Sequence, residues 1–391
     1  MNQTPKTRHY DLDWLRVAAI IILLFYHTGM FFNTWGWHIK SEEQSKIFNY
    51  IMIWFHFWRM PLLLFISGAG TYFALGFRSS GKFLKERSKR LFIPLLFGMF
   101  VIVPPQIYFE FIEKFSSYIS FYPTVFEFQT YPGGSLSWHH LWFILYLFLY
   151  SVICLPIFLY FRKEKSSDLR DKIHSLFSKK FRAAIFLVPM ILSQFMLRPF
   201  FPKETHDLTD LAYFIHYLLY FISGYIIYSD RRNWQILKTH RKINLITAVV
   251  FAVIFYAVWI IQYNINFFGY DFIFHIPTTI MSWFTILAII GYGQKYLNKK
   301  SELLAEMNAG IYPFYILHQS VMIIFGFYII QWEISIFSKF IIINFLTAIF
   351  CVGFYYLFIK PFNLMRLLFG MKPKKKISEK SENIFPAVQE H

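Results

Sequence analysis

Cysteine is nearly absent, with two residues in a chain of 391. That excludes a disulfide scaffold and a thiolate metal centre. Charge is scarce as well. Asp, Glu, Lys and Arg make up 16%, against about 25% in soluble domains. Acidic residues are the scarcer sign, 22 against 39 basic ones, giving a formal net charge of +17. The sequence has no Walker loop, no Gly-x-Gly-x-x-Gly after a strand, no zincin motif and no Gly-x-Ser-x-Gly elbow. What the chain does have is apolar bulk: 56% hydrophobic residues, 22% aromatic, 50 of them Phe, and a mean hydropathy of +0.42. So few charges could not keep that surface soluble, and disorder and fibrous repeats are equally excluded. The composition is that of a polytopic membrane protein.

A helix crossing the hydrocarbon layer needs roughly 20 apolar residues. Ten such stretches are expected, over residues 12–32, 50–77, 91–109, 138–161, 183–201, 211–228, 243–263, 274–292, 311–330 and 340–358. They do not alternate apolar with polar, so they are helices rather than barrel strands. The fold class is all-α. Placing the N-terminus in the cytoplasm puts 31 of the 39 basic residues in inner segments and 5 in outer loops. That bias sets both termini inside and explains the net charge without nucleic acid. Asp11 and Asp13 at the mouth of the first stretch, with no small-residue cleavage site after it, read it as a retained span. Residues 1–360 form one transmembrane domain. Residues 361–391 form a basic cytoplasmic tail with Lys374, Lys375 and Lys376, expected to touch lipid and to be partly disordered. The outer loop over residues 110–137 is the longest external connection and can cover a site mouth.

Ionisable residues inside these spans are costly and need a reason. Arg16 and His27 share the first span. Eleven residues of helix bring them within about 20° of the same face and about 16.5 Å apart along the axis. Taken singly, Arg16 reads as an interface anchor and His27 as a histidine bridging two helices. The second span carries His56 and Arg59 one turn apart, followed by Met60-Pro61, where a proline frees carbonyls on the preceding turn. His318 lies near mid-depth in the ninth span. The loop after the second span holds Arg78, Lys82, Lys85, Arg87, Lys89 and Arg90. Besides loading the inner side, that density attracts a polyphosphate such as the nucleotide end of coenzyme A. Together these residues point to a polar cavity inside a helical bundle, for catalysis or for transport.

Five motifs resemble the acyltransferase 3 family of ten-helix membrane proteins. They are Asp11-Leu12-Asp13-Trp14-Leu15-Arg16 with His27 beyond it, Arg59-Met60-Pro61-Leu62-Leu63-Leu64-Phe65-Ile66-Ser67-Gly68, Arg87-Ser88-Lys89-Arg90 before Pro94, His140-Leu141-Trp142-Phe143, and Tyr312-Pro313-Phe314-Tyr315-Ile316-Leu317-His318-Gln319. They follow the family's order. The opening segment, continued by Trp35-Gly36-Trp37-His38-Ile39-Lys40, resembles the branch of the glucans biosynthesis protein C type. That branch is implicated in succinylating periplasmic glucans. Val17 stands where many members have glycine, which agrees with the branch.

The resemblance implies a bacterial inner-membrane O-acyltransferase. It would move an acetyl or succinyl group from cytoplasmic acyl-CoA to a hydroxyl of a cell-envelope or periplasmic carbohydrate. His27 is then expected to act as general base or to carry the acyl group itself. Arg16 would bind donor oxygens and be oriented by Asp13, and Arg87 and Arg90 would grip the phosphates. Arg59 would meet the thioester oxyanion or a second carboxylate, and His318 and His56 would be polar partners in the substrate path. No permanent cofactor or metal is expected, and no nucleic acid. The expected partners are acyl-CoA, a carbohydrate and lipid, with a homo-oligomer or a separate periplasmic protein left open. The competing reading is a transporter or flippase of an acylated sugar, whose pathway the same groups would line.

Overall fold

The computed structural model describes residues 8–178, 182–264 and 270–374. These contain no strand, only an isolated bridge between Thr130 and Leu136. Among them, eight helices are long and apolar enough to cross a membrane. They are α1 (Tyr10–Gly29), α2 (Lys46–Gly76), α3 (Ser80–Glu110), α7 (Leu211–Tyr228), α8 (Arg231–Ile261), α9 (Phe274–Tyr296), α10 (Glu302–Ile329) and α11 (Ile336–Ile359). The other two expected spans differ from a plain helix. One is a pair, α4 (His139–Ile153) and α5 (Leu155–Phe161), bent by 53°. Pro156 sits in the first turn of α5, where its missing N–H breaks the ladder. The other, α6 (Ala184–Leu197), is shorter than expected. It stops because Arg198 turns back to bond the Phe201 carbonyl at 2.7 Å and Asp210 at 3.2 Å, a buried ion pair at the next helix start. A short helix, Asn363–Leu368, follows α11. The expected tail beyond Lys374, with Lys375 and Lys376, lies outside the described residues.

The helices sort by how much apolar surface they bury. About 72% of the α9 span and 67% of α2 and α10 are covered by protein, against 17% of α8 and 28% of α11. The last two therefore face lipid, and their lack of an apolar stripe reflects apolar surroundings on every side. α1 packs against α2, α9 and α10 near the centre. α2 and α7 meet backbone to backbone. A Cβ added at Gly68 would stand 1.9 Å from the Phe221 carbonyl, and one at Gly224 would stand 2.0 Å from the Phe65 carbonyl. This reciprocal glycine contact is how helices approach closely where no hydrophobic force joins them.

The freed carbonyls near Pro61 are not left to a cavity. Phe57, four residues before Pro61, has its carbonyl bonded by the Ser282 hydroxyl of α9 at 2.8 Å. Tyr220 of α7 in turn donates to Ser282 at 3.0 Å. A neighbouring side chain thus satisfies the backbone group that proline releases. α3 carries two π-helical turns, Ser88–Phe92 and Gly98–Ile102, on either side of Pro94. The first of these turns presents Arg90.

Candidate active site

Two polar regions lie at opposite ends of α1. At its start, Asp13 accepts from Arg8 at 2.8 Å and from Arg16 Nη1 at 3.2 Å. Asn308 of α10 holds the same Arg16 nitrogen at 3.3 Å, and Arg16 Nη2 lies against α2 at Gly70. Arg87 donates to Thr71 at 3.0 Å, and Arg90 donates to the Gly370 carbonyl at 3.1 Å. Arg16, Arg87 and Arg90 are within mutual electrostatic reach. Glu86 is shared between Arg78 at 2.6 Å and Arg90 at 3.6 Å, so positive charge is left in excess. A cavity of ≈ 500 Å³ opens at the same end, lined among others by His9, Asp11, Trp234, Lys238, Gln294 and Asn298.

At the other end of α1 stands a pair of stacked imidazoles, His27 and His318, with ring centroids 5.2 Å apart. His27 Nδ1 and His318 Nε2 are 3.1 Å apart. His318 Nδ1 lies 2.6 Å from the Tyr315 carbonyl, which can only accept. With both rings neutral, the protons are assigned by that carbonyl. His318 carries its hydrogen on Nδ1 and accepts at Nε2. His27 therefore donates from Nδ1, and its Nε2 keeps a lone pair. His27 as a whole is half-buried.

Arg59 is 7% exposed, its Nε has no hydrogen-bond partner, and its guanidinium lies 3.4 Å from the Tyr26 ring centroid. Among the described residues no carboxylate is within ion-pair distance of it. A buried guanidinium without a counterion favours an anionic ligand. His56 does not reach His27. Its Nδ1 meets Tyr26 at 3.1 Å and its Nε2 meets Tyr213 at 3.4 Å, and Tyr213 donates to Glu204. His206, in the loop before α7, stacks on Trp142 with centroids 4.3 Å apart. Burial there, and then Arg59, lower its pKa to about 3.

The expected site residues Asp13, Arg16 and His27 fall at the two ends of α1, as their spacing along one helix implies. Asp13 and Arg16 share an ion pair at one end of α1, and only His27 reaches the histidine pair. Sequence reasoning missed several members of the site. Asn308, the Tyr315 carbonyl and Tyr26 contribute through folding alone. So does Gln106, which meets His140 at 3.2 Å, donates to Ser320 at 2.7 Å and accepts from Gln319 at 3.0 Å. His140 in the fourth motif and Gln319 in the fifth were the signals for that network.

The fold is a multi-span helical bundle with an arginine cluster at one end of α1 and an oriented imidazole near the other, and comparison with known proteins identifies the class as a membrane acyltransferase. The chain matches the acyltransferase domain family, acyltransferase 3, over residues 9–359 and belongs to it. Among curated relatives it is 27% identical over 200 residues to a glucans biosynthesis protein C of Salmonella paratyphi B, covering 50% of this chain and 48% of that one. It is 24% identical over 352 residues to a glucans biosynthesis protein C of Escherichia coli O139:H28, covering 83% and 85%. The chain spans about half the length of the Salmonella relative that it matches. No solved structure matches.

Proposed function

We propose that this acyltransferase takes its acyl group from acyl-CoA on the cytoplasmic side of a bacterial inner membrane. It delivers the group to a hydroxyl of a periplasmic or cell-envelope carbohydrate. The placement of both functions on α1 carries the reading: Arg16 with Arg87 and Arg90 at its start, and His27 with a free Nε2 near its end. With both chain termini in the cytoplasm, the orientation that the bias of basic residues favours, the cationic end meets the nucleotide. The three guanidiniums bind its phosphates through charge-assisted hydrogen bonds.

In the transfer step, His27 Nε2 takes the acceptor's proton as its oxygen attacks the thioester carbonyl. A C–O bond forms, the C–S bond breaks, and the proton passes from His27 to the leaving thiolate. The same lone pair would serve if His27 first carried the acyl group. His318, backed by Tyr315, receives the hydrogen bond of the imidazolium that forms. Arg59, without a counterion and close to Tyr26, holds the thioester oxygen or the far carboxylate of a succinyl group.

The test uses purified protein in liposomes, labelled acetyl- or succinyl-CoA and a glucan acceptor. Replacing His27 by Ala should lower transfer about 10²–10⁴-fold while acyl-CoA still raises the melting temperature. Wild-type transfer by His27→Ala refutes the role. Protection by glycan alone, with no response to acyl-CoA, favours transport instead.

A further inference from the structure

At the end of the bundle opposite Arg16, three segments far apart in sequence bring His38, Glu110 and His139 together. One donor atom of each lies within 4.8 Å of the others. His38 follows α1, Glu110 ends α3, and His139 begins α4. His38 Nδ1 faces Glu110 Oε2 at 2.5 Å, and its Nε2 lies 3.4 Å from the Gln319 amide. The second oxygen of Glu110 accepts from the Tyr131 hydroxyl at 2.7 Å. His139 Nδ1 is 2.6 Å from Ser137 Oγ. Its Nε2 is buried without a hydrogen-bond partner among the described residues.

Each of the three residues therefore has one donor atom available to the group and the other fixed by a neighbour. For Glu110, held by Tyr131, and His139, held by Ser137, that is the arrangement that orients metal ligands. A plain His38–Glu110 contact needs only one imidazole. It does not account for a second one, stacked on His38 with centroids 4.7 Å apart, whose ring nitrogen is buried and unpaired.

We propose that His38 Nδ1, Glu110 Oε2 and His139 Nε2 bind a divalent transition-metal ion of the zinc class. Two imidazoles and one carboxylate suit zinc at bonds of about 2.0–2.2 Å. Magnesium and calcium favour oxygen-rich sets. Closing the site takes a rotation of the His139 ring out of its stack. Three protein ligands leave a fourth position for water or for a hydroxyl of a bound molecule. Gln319, which touches His38, also donates to Gln106 beside His140. The ion would thus sit a short hydrogen-bonded path from the His318 region, placed to hold a hydroxyl of an arriving acceptor. Binding of the ion is independent of the proposed transfer.

The test takes full-length protein, purified through a tag without histidine and stripped with EDTA. It is titrated with zinc chloride in competition with a chromophoric chelator. One equivalent should bind with submicromolar affinity. Tyr131→Phe should weaken it by about 10–100-fold. His139→Ala and Glu110→Gln should each weaken it more. Glu110→Gln is nearly isosteric, so it gives the answer even where His139→Ala does not fold. His240→Ala, on α8, should leave affinity unchanged. Absence of stoichiometric binding in the wild type, or equal affinity in wild type and Glu110→Gln, overturns the proposal.

Discussion

The His318 imidazole is predicted to act by holding a hydrogen bond rather than by adding bulk. Replacing it with Leu keeps the volume and removes the acceptor 3.1 Å from His27 Nδ1. The His27 N–H then loses its partner, at a cost of about 1–3 kcal/mol. The ring can avoid that cost by moving its hydrogen to Nε2, which removes the lone pair needed for proton transfer. At about 1.4 kcal/mol per factor of ten, the fraction of productive tautomer falls about 5- to 150-fold, and kcat falls with it. His318→Gln offers an amide oxygen at a similar reach and should recover most of the loss. KM for acyl-CoA should hold in both variants, because the arginine cluster lies at the other end of α1. Steady-state transfer in liposomes separates these quantities. Equal losses in His318→Leu and His318→Gln, or no loss in His318→Leu, refute the tautomer reasoning.

Three further outcomes are expected. Replacing Arg16 and Arg87 by Gln removes charge-assisted hydrogen bonds worth about 1.5–3 kcal/mol each, so KM for acyl-CoA should rise about tenfold or more with kcat little changed; an unchanged KM counts against phosphate binding. Gly68→Val sets a side chain against the Phe221 carbonyl and should lower the thermal midpoint through overpacking of about 1–3 kcal/mol or more; an unmoved melt shows that the contact is loose. His206 has a pKa lowered to about 3, so between pH 6.5 and 3 the unfolded chain binds a proton that the folded chain refuses. Stability should therefore fall as pH drops through that window, by no more than about 1.4 kcal/mol per unit. His206→Phe should make the fall between pH 6.5 and 5.5 shallower, and identical slopes would remove His206 as a contributor.

The spans were legible because lipid demands long apolar helices, and each of the ten stretches has a helical counterpart in the structure. Their interruptions were less so. The fourth stretch read as one span, whereas the chain bends by 53° beside Pro156. The end of α6 rests on Arg198 meeting Asp210, twelve residues later, and no local pattern announces that pairing. In the site, His27 and His318 stood out because imidazoles are costly inside a membrane. Their pairing did not stand out, since 291 residues separate them. The carbonyl that sets their protons belongs to Tyr315, and every residue has a carbonyl. Asp13 meets Arg16 because the two share a helix face three residues apart, and His27 stands eleven residues beyond Arg16, near the other end of the same helix. Gln106 and Tyr26 carry no signal in a chain rich in polar aromatics, and only the fold gives them partners.

Because α1 runs unbroken from Tyr10 to Gly29, it works as a rigid gauge between its two functional ends. One residue inserted between Arg16 and His27 would swing the imidazole about 100° around the rod. Four would bring it back to nearly its old bearing but about 6 Å too far along. On the proposed reading, the distance over which the acyl chain must reach is therefore set by counting residues in a single helix.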